Sequence, residues 1–201
     1  MNSQEQPQLG DETWTPCSYD AVMLAVLRAD WTRRRLNDRG HPRLIAHPDL
    51  LDPAQNDARR ALLLGLTGSV WPSVPKDTAW FEVRHLGMHH FGALRHIHHL
   101  NWSSYSRSKT NEVLEIANLR PERLRSHAVP ATWQPVLWGH ERAGPFTILD
   151  GNRRIAALAL APKPYGDLKL VAYVGLSGAP GVWHRPDAQW QPAQATQGII
   201  P

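Results

Sequence analysis

Apolar residues fall into helical spacing near the start of the chain and into short runs toward its end. Over residues 19–36, Ala21, Leu24, Ala25, Val26 and Leu27 supply one apolar side, and Ser18 precedes them as a helix cap. Arg28, Arg33, Arg34 and Arg35 crowd the end of that helix, where cations suit the negative terminus. A second helix is predicted to begin at Pro53 and run through Ala58 to Leu64, closing at Gly65 to Gly68. Between them, His41 to Asp52 reads as a loop with two His-Pro pairs.

The pattern then changes. Ala79-Trp80-Phe81-Glu82-Val83-Arg84 reads as a strand, and residues 106–118 have helical spacing with Val113, Leu114, Ile116 and Ala117 on one side. Pro121 and Pro130 bracket a short turn or helix. Gln134 to Gly139 and Phe146 to Leu149 are two further strands, joined through a turn at Gly144-Pro145. A helix of small residues follows over 153–160, and a last strand over 168–174. Residues 1–17 read as a flexible lead and 178–201 as an irregular Pro- and Gln-rich tail. The expected organisation is a helical region over 18–75, followed by an α/β (α+β) domain over 76–177 with a small mixed sheet and flanking helices.

Composition narrows the class. Among 201 residues, 42% are hydrophobic, enough for a core. Twenty-two Lys and Arg against eighteen Asp and Glu leave a net charge of +4, compatible with an anionic partner such as a nucleotide or nucleic acid. The single cysteine, Cys17, allows no intrachain disulfide and fits a reducing cytoplasm. The first twelve residues lack the basic and apolar regions of a signal peptide, and no apolar run is long enough for a membrane span. Nine tryptophans are scattered along the chain, mostly as packing residues, with room for one or two to stack on a base.

The segment that carries chemistry is 146–160. An apolar strand runs into Asp150-Gly151-Asn152-Arg153-Arg154, and a helix begins at once. Such a turn aims backbone N–H groups and the positive end of the helix dipole at one point, and so favours an anion. Gly151 permits a tight turn and close approach, and two arginines add forked donors. Arginine at a helix N-terminus is unfavourable for the helix itself, which points to a bound phosphate or to nearby carboxylates such as Asp150 and Glu141. An ordinary salt-bridged turn is the competing reading.

Phe146-Thr147-Ile148-Leu149-Asp150-Gly151-Asn152-Arg153-Arg154-Ile155-Ala156-Ala157 resembles the Gly-x-x-Arg signature of the ParB/sulfiredoxin superfamily. The preceding helix, the Gln134-Pro135-Val136 strand, the hairpin and the following strand agree in order, so the resemblance covers about residues 79–177. It implies that Gly151 and Asn152 offer backbone donors to nucleotide phosphates, with Arg154 as the signature arginine, Arg153 beside it, and Asp150 holding the turn or a metal's water. The implied ligand is ATP, ADP or CTP, with Mg as its companion cation.

The chain also departs from that family. Sulfiredoxins carry their cysteine immediately after the signature glycine, where this chain has Asn152. Reductase activity is therefore not expected. Partition proteins usually have Glu there and continue into a helix-turn-helix domain, whereas about twenty-five Pro- and Gln-rich residues follow the last strand here.

Six histidines, His85, His89, His90, His96, His98 and His99, lie within fifteen residues. His85 and His89 would share a helical side, and His96 and His98 a strand side, so either pair could chelate a metal. A polar surface or hydrogen-bonded lining is the favoured alternative, and no metal site is assigned. One histidine could instead serve as general base. Glu82, Glu141 and His140 are the named candidates for the catalytic base, with Glu112 also titratable and the 105–109 run a further phosphate-facing candidate.

The expected function is nucleotide-dependent phosphoryl transfer or hydrolysis. The alternatives are a non-catalytic nucleotide sensor or DNA-associated regulator, and a metal-dependent nuclease. A homodimer is left open.

Overall fold

The structure, a computed structural model, describes residues 13–34, 42–67, 71–86, 93–96, 133–159 and 170–179. The described residues form a six-stranded mixed sheet with helices packed on it. The strands are β1 (Thr13–Cys17), β2 (Ala79–Leu86), β3 (Leu94–His96), β4 (Val136–Gly139), β5 (Phe146–Asp150) and β6 (Leu170–Leu176). The helices are α1 (Tyr19–Arg34), α2 (Pro42–Ile45), α3 (Pro53–Thr67) and α4 (Asn152–Ala159), with a 3-10 turn at Trp71–Ser73. The sheet order is β1-β2-β6-β4-β5-β3. β4 runs parallel to β6 and β3 parallel to β5, while the other neighbours are antiparallel.

Alternation along the strands divides the core between the two faces of the sheet. Trp80, Val136, Trp138, Leu149 and Tyr173 face one side, where Val22, Met23, Val26 and Leu27 of α1 and Leu63 of α3 cover them. Val83, Leu137, Ile148, Ala172 and Val174 face the other, with Ile155 and Leu158 of α4 packed on that side. Each fully buried aliphatic chain, such as Leu27 or Ile155, contributes roughly 1.5–3 kcal/mol relative to exposure.

The helices begin where their caps dictate. The Ser18 hydroxyl accepts from Ala21 N–H at 3.1 Å, as the sequence predicts. At α3, Pro53 takes the first position and Asp52 caps it, its carboxylate accepting from Ala54 N–H at 2.9 Å and Gln55 N–H at 3.3 Å. α1, α3, β2, β4, β5 and α4 all appear within a few residues of their expected positions.

Three expectations are corrected. The residues just before the first helix are not all a loose lead, because Thr13–Cys17 pairs antiparallel with β2 at the edge of the sheet. An edge strand tolerates Pro16, whose missing N–H costs no ladder bond on the open side. The helical region is not a separate unit either: α1 and α3 share one core with Trp80, Trp138 and Tyr173 of the sheet. The loop over 41–52 contains the short helix α2, held by the buried Arg59, which donates from Nη1 to Leu44 O at 3.1 Å and from Nη2 to Asp49 O at 2.9 Å. The helix expected over 106–118, the prolines after it, and nearly all of the 178–201 tail lie outside the described residues.

Candidate functional site

The site is built where β5 ends. β5 and β3 run parallel, so Asp150 and His96 close two strands at the same end of the sheet, and α4 starts there. The carboxyl ends of parallel strands, with a helix N-terminus beside them, are where open α/β sheets receive ligands. Gly151 joins β5 to α4 with φ +95°, a conformation that L side chains rarely adopt. Its carbonyl accepts the first helical bond, from Ile155 N–H at 2.9 Å, so the amides of the first turn lie ahead of the helical ladder.

Asn152 turns its side chain back into the sheet. Its Nδ2 donates to Ile148 O at 2.9 Å, and its Oδ1 lies 2.9 Å from His96 Nδ1. Because a carbonyl only accepts, the amide orientation is fixed, and Oδ1 must receive a proton from the histidine. His96 therefore carries its proton on Nδ1, which leaves the lone pair on Nε2. The ring is 1% exposed, and burial pushes its pKa from 6.5 down to about 4, against the opposing pull of the Asn152 bond. His96 is a neutral imidazole at physiological pH.

Arg154 lies against the turn from the helix side. Its side chain is one-tenth exposed, its Nη1 stands 4.0 Å from Asp150 Oδ2, and its Cζ lies 5.2 Å from the ring centroid of Trp133. Trp133, itself buried, closes the turn: a Cβ on Gly151 would fall 2.0 Å from Trp133 Cζ2. Only glycine fits there. Arg153, the neighbouring cation, is exposed.

The structure thus brings Asp150, Gly151, Asn152 and Arg154 together with His96 and Trp133, and leaves the candidate bases elsewhere. Glu82 lies on β2, on the face covered by α1, and pairs with Arg84 Nε at 3.1 Å. Burial, joined by the Glu82 charge, pushes the Cys17 thiol up to about 11, and burial with the same charge raises the Tyr173 hydroxyl. His140 and Glu141 occupy the β4–β5 hairpin, at the opposite end of β5 from Asp150. At about 3.4 Å per residue that is roughly 14 Å away. His140 is committed there, donating from Nδ1 to Ser177 O at 2.9 Å with its ring edge-on to Trp138. The separation has a simple cause. An antiparallel hairpin puts its turn at the far end of the strand from the residue that enters the helix.

Among the described histidines, His85 belongs to a strand and not to a helix, at φ +72° beside an irregularity in the β2–β6 pairing. His89, His90, His98, His99, Glu112 and the 105–109 run lie outside the described residues. Among the described residues no group of three or more His, Cys, Asp or Glu side chains is placed to hold a metal, and no helix is long and apolar enough to cross a membrane.

Sequence reasoning missed Trp133. Its position immediately before Gln134-Pro135, at the entry to β4, was the available signal, but only the register Val136↔Asp150 brings it to Gly151. No family model, curated protein or solved structure matches this chain.

Proposed function

We propose that this chain binds the phosphate chain of a nucleotide at the Asp150–Arg154 turn, in the manner of the ParB/sulfiredoxin-like proteins its sequence resembles. The observation that carries the reading is Gly151 at φ +95° between β5 and α4, with the Arg154 guanidinium held beside it. Backbone donors, the helix dipole and two arginines then act on one anion. The positive φ of the glycine makes the tight turn into α4, and the Trp133 ring fills the space a side chain would take. ATP, ADP and CTP are the candidate ligands. The Asp150 carboxylate, a quarter exposed at the turn, would hold a water of an accompanying Mg ion.

Binding without turnover is favoured over phosphoryl transfer or hydrolysis. Glu82 sits on the opposite face of the sheet, His140 and Glu141 at the far end of β5, and the Asn152 amide is spent on Ile148 and His96. Phosphoryl transfer needs a group that orients the nucleophile beside the phosphate, and among the described residues none of these four side chains is placed to do so. The sensor reading is tested by titration calorimetry with ATP, ADP, CTP and GTP, followed by a phosphate-release assay. Binding of at least one nucleotide without phosphate release is expected. If none of the four binds, the nucleotide reading falls. If bound nucleotide is hydrolysed, the sensor reading yields to an enzyme.

A further inference from the structure

Trp133 is 4% exposed, and among the described residues its indole Nε1–H finds no acceptor. A buried donor left unsatisfied is destabilising, and an indole N–H is usually satisfied when buried. The orphaned edge of the ring lies at the phosphate turn. A Cβ on Gly151 would fall 2.0 Å from Cζ2 and 2.9 Å from Cε2, and Cε2 is the atom bonded to Nε1. The face of the same ring carries the Arg154 guanidinium, 5.2 Å from its centroid. One side chain therefore lies beneath the Arg154 guanidinium and packs its six-membered ring, one bond away from the spare donor, against the glycine.

We propose that Trp133 is an anion-binding residue: its indole N–H donates to an oxygen of the ligand's phosphate chain at Gly151. This rests on the nucleotide reading above and adds a donor to it. An N–H donor has no acceptor capacity, so it favours an ionised oxygen over a hydroxyl, and its burial removes the competition of water. The ligand class is a phosphate chain, and the simplest probe is inorganic pyrophosphate. Chemically, Trp133 complements Arg154. The indole supplies a neutral donor at its edge, and the guanidinium a charged one over its face.

The test uses the full chain and Trp133→Phe, which keeps an aromatic ring beneath Arg154 and removes the N–H. Affinity for pyrophosphate, and for whichever nucleotide the wild type binds, should fall roughly tenfold. Thermal stability without ligand should stay the same or rise, because the unsatisfied donor is gone. A residue that only packs would show the reverse, lost stability with unchanged affinity, and that result overturns the proposal. A second measurement does not depend on the variant folding. In ¹⁵N-labelled wild type, the indole signal that contacts the Gly151 α-protons should move downfield on pyrophosphate addition. If it stays in place while ligand binds, the proposal is overturned and the nucleotide reading stands. If the wild type binds neither pyrophosphate nor nucleotide, both fail.

Discussion

His96 donates from Nδ1 to Oδ1 of Asn152 at 2.9 Å, tying the end of β3 to the first residue of α4. The bond joins two segments 56 residues apart and holds the side chain of Asn152 away from the turn it begins. Burial keeps the imidazole neutral, with its pKa near 4 instead of 6.5. The sign of the linkage follows. Between those values the unfolded chain binds a proton that the folded chain refuses, so stability rises with pH across this window and is lost as pH falls from about 6.5 toward 4. The full effect is about 3 kcal/mol. Urea unfolding at pH 7.5, 6, 5 and 4.5 should show that slope in the wild type and a shallower one in His96→Gln. Identical slopes would mean that His96 is protonated in the folded protein.

Gly151 supports a second prediction. Gly151→Ala forces a side chain into a left-handed conformation and into the Trp133 ring. The backbone strain costs of order 1–3 kcal/mol and the overpacking a similar amount, so a loss on the order of 3 kcal/mol is expected. The two contributions separate in a double-mutant cycle with Trp133→Ala. Removing the indole should relieve the clash but not the strain, giving a coupling of about 1–3 kcal/mol. Simple additivity in denaturant titrations would show that the two residues do not compete for the same space.

Arg154 and Arg153 should behave differently despite being neighbours. Arg154 is held by Trp133 and Asp150, and its loss removes an oriented guanidinium. Arg154→Ala should weaken nucleotide binding by about 1.5–3 kcal/mol, roughly ten- to a hundredfold. Arg154→Lys should recover little of that, since a flexible ammonium does not reproduce a flat fork stacked on an indole. Arg153 is exposed and should contribute mainly through charge, with an effect that fades as salt is raised. Calorimetry at two ionic strengths checks both. Equal losses at high salt would remove the distinction.

Much of this fold was legible in the chain, for reasons that differ by element. β5 and α4 were readable because Phe146 to Leu149 is apolar and Gly151 punctuates it, so local pattern and local structure agree. β1 was not. Its five residues include Pro16, and only pairing with β2 makes them a strand. The turn residues could be named because the chemistry lies within five consecutive positions. Trp133 and His96 could not be placed there, since they arrive from other strands through the β4–β5 and β3–β5 registers. The face that Glu82 takes was not legible either. Its strand was expected correctly, but the side of the sheet it faces depends on α1, which covers that side through Val22 and Met23.

Arg59 tests whether the helical layer is a working part of the sheet domain. Its guanidinium is fully buried and gathers the chain between α2 and α3, donating to Leu44 O, Asp49 O and the amide oxygen of Asn56. Asn56 in turn donates from Nδ2 to Leu50 O at 2.9 Å, so one arginine and one asparagine satisfy three carbonyls in a segment with little ladder of its own. Arg59→Ala would leave those acceptors unpaired beside a cavity, at a cost on the order of 3 kcal/mol. Arg59→Lys keeps the charge but cannot reach two carbonyls at once, and should lose most of the same stability. Because α1 and α3 share a core with Trp80 and Trp138, the loss should appear as a lower midpoint for the whole domain, in a single transition. A separate early transition confined to the helices, with the sheet persisting, would show that the two layers are not one cooperative unit.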